Sequence, residues 1–237
     1  MGAARQVRAY LAAQVEGERL AEARLRLGDP DGVHDTRVAV RRIRTMLRVF
    51  PALDPGDDLR SRLSDWSDVL GDVRDVEVLR STLASVDAAA LVRRLDLDAL
   101  HAASAARLMA VMDSAEHHAL LEELRELALR EPSGRLHAAR GVRRADRLAR
   151  KRLRVAGDDP ELLHRARRAA KRARYAAEAV GDGSLADHHK RIQDVLGDHH
   201  DCVVALDRLR GVRGSEAADA RAALEARAAE ALDRLSG

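Results

Sequence analysis

The stretch Val33–Phe50, VHDTRVAVRRIRTMLRVF, decides the fold, because as a helix it carries two parallel stripes. Its apolar residues recur at steps of three, four and seven, the spacing of one helical face. Its basic residues come one place later, about 100° round the helix, so they border the face that enters the core. An ordinary solvated face would lie opposite that core. The apolar stripe is Val33, Val40, Ile43, Leu47 and Phe50, and the basic stripe is His34, Arg37, Arg41, Arg44 and Arg48.

The segment Leu163–Val180, LHRARRAAKRARYAAEAV, repeats this pattern with an apolar stripe made mostly of alanine. Five basic positions of the first stretch recur at an offset of 130 residues. A second block, Asp68–Asp72, recurs as Asp194–Asp198 at an offset of 126. Two blocks in the same order predict duplication of a helical unit. We expect the two basic stripes to face one shared cleft. The recurring pairs are His34 and His164, Arg37 and Arg167, Arg41 and Lys171, Arg42 and Arg172, and Arg44 and Arg174.

Composition predicts an all-α protein. The 237 residues are 34% charged, 2% aromatic and poor in proline, and no strand-like alternation stands out. We expect two pseudo-symmetric four-helix bundles from an internal duplication, residues 1–131 and 132–237, divided at Pro132-Ser133-Gly134. The predicted helices cover residues 4–27, 33–50, 57–83, 89–112, 115–130, 135–156, 161–180, 185–210 and 215–235.

The basic stripes have two explanations. The net charge is only +3, and an aspartate stripe (Asp65, Asp68, Asp72 and Asp75, echoed by Asp194, Asp198 and Asp201) could neutralise them. The cations of the helices at 33–50, 135–156 and 161–180 outnumber these carboxylates, so we expect unpaired positive charge and favour ligand binding. The helix at 135–156 supplies secondary basic candidates: Arg140, Arg144, Arg147 and Lys151.

The histidines do not form a predicted metal site. The pairs His117-His118, His188-His189 and His199-His200 would point about 100° apart on a helix, which chelates poorly, so we interpret them as surface or cap residues. Glu161 and His164 fit the spacing of di-iron bundles, but the neighbouring cations oppose a metal ion. Neighbouring arginines disfavour the imidazolium form of His34 and His164, whereas a bound polyanion favours it. We therefore expect anion binding to tighten as the pH falls.

The spacing of the cations favours a polyanion over a single phosphate group. A helical stripe places one basic residue about every 5 Å, and the row from His34 to Arg48 extends roughly 21 Å. The scarcity of aromatic residues argues against single-stranded nucleic acid, whose bases stack on aromatic rings. A base-free chain of phosphates fits best, and a helical protein that recognises a nucleic-acid phosphate backbone is the alternative. We find no phosphate-cradling loop, nucleophile elbow or acid–base dyad, and expect no catalytic residue, metal or cofactor.

Four segments resemble the CHAD family, the histidine-named α-helical domain: VHDTRVAVRRIRTMLRVF, LGDVRDVEVL, LHRARRAAKRARY and IQDVLGDHHD. The resemblance implies two four-helix bundles related by pseudo-twofold symmetry. It also implies a basic central cleft that binds inorganic polyphosphate, with family members at polyphosphate granules. Carried over by motif, the binding residues are His34, Arg37, Arg41, Arg42 and Arg44, with His164, Arg167, Arg168, Lys171, Arg172 and Arg174.

One position departs from the repeat, because Val38 corresponds to Arg168. The family often accompanies a triphosphate-hydrolysing tunnel domain, for which we expect no room here, so we expect a non-enzymatic polyphosphate-binding protein. The first residues lack an apolar core of signal-peptide length, and the apolar runs are too short to span a bilayer. We therefore expect a cytoplasmic protein with no membrane partner, and the resemblance adds a place at polyphosphate granules.

Overall fold

The predicted all-α class is confirmed. The computed structural model describes residues 2–236, which contain helices and no strand. A short 3₁₀ turn, Pro51–Leu53, follows the second helix. The α-helices are α1 Ala3–Arg26, α2 Gly32–Val49, α3 Asp57–Ala84, α4 Ala90–Arg94, α5 Leu97–Met112, α6 Ala115–Leu129, α7 Ala138–Arg154, α8 Pro160–Val180, α9 Gly183–Arg208 and α10 Ser215–Ser236.

The two halves pack their helices in the same succession. Helices α7 to α10 each contact the next along the chain, and α1, α2, α3 and α5 do the same. This arrangement is consistent with the predicted duplication of a four-helix unit. Helices α4 and α6 occur in the first half alone. The helix predicted at 89–112 is two helices, because Asp96 adopts a left-handed conformation (φ 51°) that ends one helix before the next begins.

The apolar stripes enter the core as predicted. Val40 and Ile43 of α2 are completely buried, as are Ala173 and Ala177 of α8. Alanine lets α8 approach its neighbours closely, and α8 contacts α1, α2, α7 and α9. The largest core cluster takes residues from α1 to α3 and from α7 and α8, so the packing continues across Pro132. The boundary between residues 1–131 and 132–237 stays a prediction.

The glycines of the repeated Asp-Val-Leu-Gly-Asp block lie inside unbroken helices. Gly71 belongs to α3 and Gly197 to α9, and neither ends its helix. A Cβ on Gly71 would lie 3.8 Å from Arg37 Nη2, and one on Gly197 would lie 3.6 Å from Arg167 Nε. Both glycines therefore lie against equivalent arginines of the two halves, at a distance that an added Cβ would fit.

A buried polar cluster lies inside the first half. Trp66 Nε1 donates to Glu18 Oε1 over 3.3 Å, and the Trp66 ring packs at 4.3 Å from the His117 ring. Burial, with help from the charge of Glu22, raises the pKa of Glu18 to about 8. Glu18 is therefore mostly protonated at neutral pH.

Over residues 2–236, the helices are all too short or too polar to cross a bilayer.

Candidate anion-binding site between the striped helices

The two basic stripes meet where α2 packs against α8. Besides burial, the positive charges of Arg41, Arg167 and Arg37 each lower the pKa of Lys171. The charge of Arg167 likewise adds to burial in lowering the pKa of Arg41. We call these four side chains the central cluster. All four are buried or half-buried, so their mutual repulsion is screened less than it would be on the surface. The expectation that the stripes face each other holds for these residues.

Lys171 is the most buried member of the central cluster, with 8% of its surface exposed. Burial is the largest cause that lowers its pKa to about 5, and the charges of Arg41, Arg167 and Arg37 lower it further. The carboxylate of Asp201 opposes this shift but forms no ion pair with Lys171. The Lys171 amine is therefore neutral at pH 7 in the free protein.

Arg37 and Arg167 occupy equivalent places in the two halves, and each leaves a buried donor without an acceptor. The Nε atoms of both side chains are buried and lack a hydrogen-bond partner. Arg37 Nη2 lies 3.6 Å from Asp75 Oδ1, a long ion pair. Arg167 forms none with any residue that the structure describes. Burying a donor without an acceptor is costly, so both arginines point to an acceptor that comes from outside the chain.

The aspartate stripe does not neutralise the central cluster. Asp72 pairs with Arg107 at 2.8 Å, and Asp198 pairs with Arg234 at 2.8 Å. Asp194 pairs at 3.0 Å with Lys190, which lies outside the stripes. Of the predicted aspartates, Asp75 supplies the one ion pair to a stripe residue within the described chain. Internal neutralisation by ion pairs therefore covers little of the stripes, although the charges of Asp75 and Asp201 act on the central cluster from a longer distance.

Beyond the central cluster, one end of the α2–α8 interface opens into an arginine-lined pocket of about 490 Å³. We call this the Arg48 end. Burial lowers the pKa of Arg172 to about 10, and the charges of Arg152, Arg48 and Arg168 lower it further. Arg44 lies beside Arg48 and Arg168 and donates from Nη2 to Ser64 Oγ at 2.9 Å. The basic lining is Arg48, Arg144, Arg152, Arg165, Arg168 and Arg172.

The opposite end is closed by a carboxylate, and we call it the Glu178 end. Glu178 accepts hydrogen bonds from Arg174 Nε at 2.8 Å and from the Tyr10 hydroxyl at 2.6 Å. Arg42 Nη2 lies 3.2 Å from the same carboxylate. The guanidinium groups of Arg42 and Arg174 also lie 5.3 and 5.6 Å from the centre of the Tyr175 ring. Two predicted binding residues, Arg42 and Arg174, therefore already hold an internal anion.

The predicted histidines have different surroundings. His34 is exposed, whereas His164 is half-buried with its Nδ1 3.3 Å from that of His200. Burial, followed by the charges of Arg167 and Arg168, lowers the pKa of His164. Burial also lowers the pKa of His200 to about 3, with Arg167 as the next cause.

The interpretation of the histidine pairs as surface or cap residues is wrong for one member of each pair. His117, His189 and His199 are buried. His117 Nε2 lies 2.8 Å from Glu22 Oε2, and His189 Nε2 lies 2.9 Å from Asp146 Oδ1. Adjacent helical residues point about 100° apart, which turns one ring inward. Across residues 2–236, no group of three or more His, Cys, Asp or Glu residues could hold a metal ion.

The helix α7 contributes unevenly. Of the secondary candidates, Arg144 lines the pocket at the Arg48 end, whereas Arg140, Arg147 and Lys151 are exposed outside its lining. Sequence reasoning missed Arg152 and Arg165 of the lining. Arg165 also pairs with Glu161, the carboxylate considered for a di-iron site. The available signal for Arg152 was its place eight residues, or about two helical turns, after Arg144, but this spacing does not show which face of α7 meets α8.

The fold and the site together define an all-α protein in which two arginine-rich helices meet, with an arrangement consistent with an internal duplication. Residues 9–210 match the CHAD domain family, and the chain belongs to this family. The uncharacterized protein Rv2226 of Mycobacterium tuberculosis is 32% identical over 230 residues, which cover 83% of this chain. The chain spans 43% of the length of this relative.

Two solved structures are similar over nearly the whole chain. The CHAD domain from the plant Ricinus communis is 26% identical with a TM-score of 0.67, covering 100% of this chain and 87% of that one. PptA from Streptomyces chartreusis has a TM-score of 0.76 at 20% identity, covering 96% of this chain and 98% of that one. The second likeness is a likeness of fold alone.

Proposed function

We propose that this protein binds inorganic polyphosphate along the α2–α8 interface without catalysing a reaction on it. The observation that carries the proposal is the central cluster, whose four side chains form no ion pair within the described chain apart from the long contact of Arg37 with Asp75. The buried Nε atoms of Arg37 and Arg167 lack acceptors that phosphate oxygens would supply. Membership of the CHAD family is consistent with this ligand.

The ligand we propose is a chain of phosphates because the cations continue beyond the central cluster. Arg44, Arg48, Arg168 and Arg172 extend the positive charge to the pocket at the Arg48 end. Neighbouring cations on a helix stripe are about 5 Å apart, which suits contacts to successive phosphates. Tyr10 and Tyr175 contact the Glu178 network, so they offer no free platform for nucleic-acid bases. We further propose that polyphosphate binding places the protein at polyphosphate granules.

Binding of labelled polyphosphate of defined chain length, followed by fluorescence anisotropy, tests the proposal. We expect affinity to fall steeply with salt, because each arginine–phosphate contact releases counterions. Unlabelled polyphosphate should displace duplex DNA, and duplex DNA should fail to displace polyphosphate. The reverse order of competition would support the nucleic-acid alternative. Phosphate release on addition of a divalent metal ion would contradict a non-enzymatic role.

A charge-reversal variant locates the site. Arg41→Glu with Lys171→Glu should reduce affinity at least a hundredfold, because it places two anions where the phosphates would bind. Arg5→Glu with Arg93→Glu makes the same formal substitution at exposed positions and should cost less than about fivefold. Arg41→Gln with Lys171→Gln provides a milder version if the buried glutamates unfold the protein. Equal losses at the central and the exposed positions would contradict the site.

A further inference from the structure

The two ends of the α2–α8 interface correspond through the repeat. Helices α2 and α8 are unbroken, so the offset of 130 residues holds along their length. Arg44 then corresponds to Arg174, and Arg172 corresponds to Arg42. Each end of the interface therefore has the same pair of arginines, one from each helix. The two ends differ in what stands beside that pair.

At the Glu178 end the arginine pair holds a carboxylate. Arg42, Arg174 and the Tyr10 hydroxyl all converge on Glu178. The side chains of Arg42, Arg174 and Glu178 keep 27, 18 and 20% of their surface, respectively. Charge-assisted hydrogen bonds in such half-buried surroundings are strong. Because Tyr10 belongs to α1, the network also ties the first helix across this end.

At the Arg48 end the same arginine pair forms no ion pair with a carboxylate of the described chain, although the charges of Asp68 and Asp65 act on Arg44 from a longer distance. Position 48 corresponds to position 178, and it is arginine instead of glutamate. Arg168 stands where the other end has Val38. Both Arg48 and Arg168 act electrostatically on Arg44 and on Arg172. Four cations therefore surround a place where the corresponding end of the molecule has an anion, and the pocket opens there.

We propose that the anion path is open at the Arg48 end only, where a phosphoryl group takes the place that the Glu178 carboxylate fills at the other end. This inference rests on the proposed polyphosphate function. Arginine side chains bind carboxylates and phosphates through the same paired N–H groups. The position of the Glu178 carboxylate therefore indicates where a phosphoryl group would bind at the corresponding end. Glu178 then sets where the bound chain stops, because its charge repels phosphate, its hydrogen bond occupies Arg174 Nε and its ion pair engages Arg42.

Matched substitutions at corresponding positions test the asymmetry. Arg172→Gln should weaken binding of labelled polyphosphate about tenfold or more, because it removes a charge-assisted contact to phosphate. Arg42→Gln, the same change at the corresponding place, should cost about threefold or less. Arg44→Gln and Arg174→Gln form a second matched pair with the same expected order. Thermal unfolding of each variant sets a temperature at which all of them are folded.

The number of phosphates bound gives a second, independent readout. Titration calorimetry with long-chain polyphosphate measures phosphate units per protein at saturation. Glu178→Ala should raise this number by about half, because it frees Arg42 and Arg174 to hold further phosphates. Asp75→Ala is the control, since it also removes a carboxylate beside a stripe arginine. It should strengthen binding without extending the occupied length.

The outcomes separate this inference from the function on which it rests. Loss of affinity in the order Arg172 over Arg42, with a longer occupied length in Glu178→Ala, supports a path open at one end. Equal losses at corresponding arginines, or an occupied length that is the same in Glu178→Ala and the wild type, would overturn it while polyphosphate binding stands. A wild-type protein that fails to bind polyphosphate would contradict the proposed function itself.

Discussion

Helices α2 and α8 carry the same stripes, but their core faces and their central cations differ. The core face of α2 consists of large residues such as Ile43 and Leu47, whereas that of α8 consists of alanines. At corresponding positions, Arg41 is half-buried and Lys171 is buried. The comparison shows that a repeat preserves the pattern of cations, while lysine in place of arginine lets burial change the protonation at one of the two positions. We expect the α8 side to respond to pH and the α2 side to supply constant charge.

The largest expected difference concerns the paired arginines. Arg167→Gln should weaken polyphosphate binding tenfold or more, because Arg167 forms no ion pair in the described chain, where Asp201 acts on it only from a longer distance, and a phosphate would supply an acceptor for its Nε. Arg37→Gln should cost less, about threefold, because Arg37 already has Asp75 at 3.6 Å. Anisotropy titrations at one salt concentration measure both. A larger loss of affinity for Arg37→Gln than for Arg167→Gln would contradict the expected order.

The next effect is proton uptake by Lys171. Its pKa of about 5 leaves the amine neutral at pH 7, and bound phosphates favour the charged form. Binding should therefore take up close to one proton per protein at pH 7. Calorimetry in two buffers of different ionisation enthalpy measures this uptake. In Lys171→Arg most of it should vanish, because arginine stays charged. Unchanged uptake in that variant would assign the proton to another group.

The same lowered pKa predicts how stability depends on pH without ligand. The ordinary lysine pKa is 10.5 and the folded value is about 5, so the unfolded state holds the extra proton between these limits. The contribution of Lys171 to the free energy of unfolding should rise with pH across that window and be lost as the pH falls toward 5. Denaturant titrations of the wild type and Lys171→Met measure their free energies of unfolding. The advantage of Lys171→Met over the wild type should shrink as the pH rises.

A smaller effect tests whether the corresponding glycines of the two halves, Gly71 and Gly197, respond alike to substitution. Gly71→Ala and Gly197→Ala should each raise the free energy of unfolding by about 0.5–1 kcal/mol, because alanine favours the helix interior. The added Cβ atoms would lie at ordinary contact distance from Arg37 and Arg167. Gly141→Ala is the contrasting variant and should destabilise, since its Cβ would lie 2.8 Å from the Phe50 ring. Denaturant unfolding measures all three.

The histidines should give the smallest effect. Between pH 8 and pH 6, affinity should rise about twofold through His164, whose lowered pKa would be raised by a bound polyanion. In a Lys171→Arg background, which removes the larger pH dependence of Lys171, His164→Ala should flatten that rise in anisotropy titrations. His34 is exposed, so His34→Ala should change it less. A flat profile in Lys171→Arg alone would remove His164 from the site.

The helical pattern allowed most of the fold to be predicted. The apolar stripes of Val33–Phe50 and Leu163–Val180 are local in sequence, and helix geometry converts their spacing into a face. The break at Asp96 could not be predicted, because it is a left-handed residue with no glycine to mark it. The inward turn of His117 and His189 depended on distant partners, Glu22 and Asp146, which a local pattern does not identify.

The candidate site was predictable to the extent that it follows the stripes. The meeting of Arg41 with Lys171 follows from the repeat. The closure at Glu178 does not, because Tyr10 lies 168 residues away in the sequence. Arg152 and Arg165 join the pocket only through the way α7 packs on α8. Pairings between distant segments are fixed by tertiary packing, which the periodicity of one helix does not predict.

The buried contact between Trp66 and Glu18 makes the protein its own optical probe. Trp66 is the single tryptophan of the chain, and its indole nitrogen donates to a carboxyl group whose pKa is raised to about 8. Ionisation of that group places a full negative charge beside the ring. Intrinsic fluorescence should therefore titrate near pH 8, from one chromophore inside the first bundle, with no label attached.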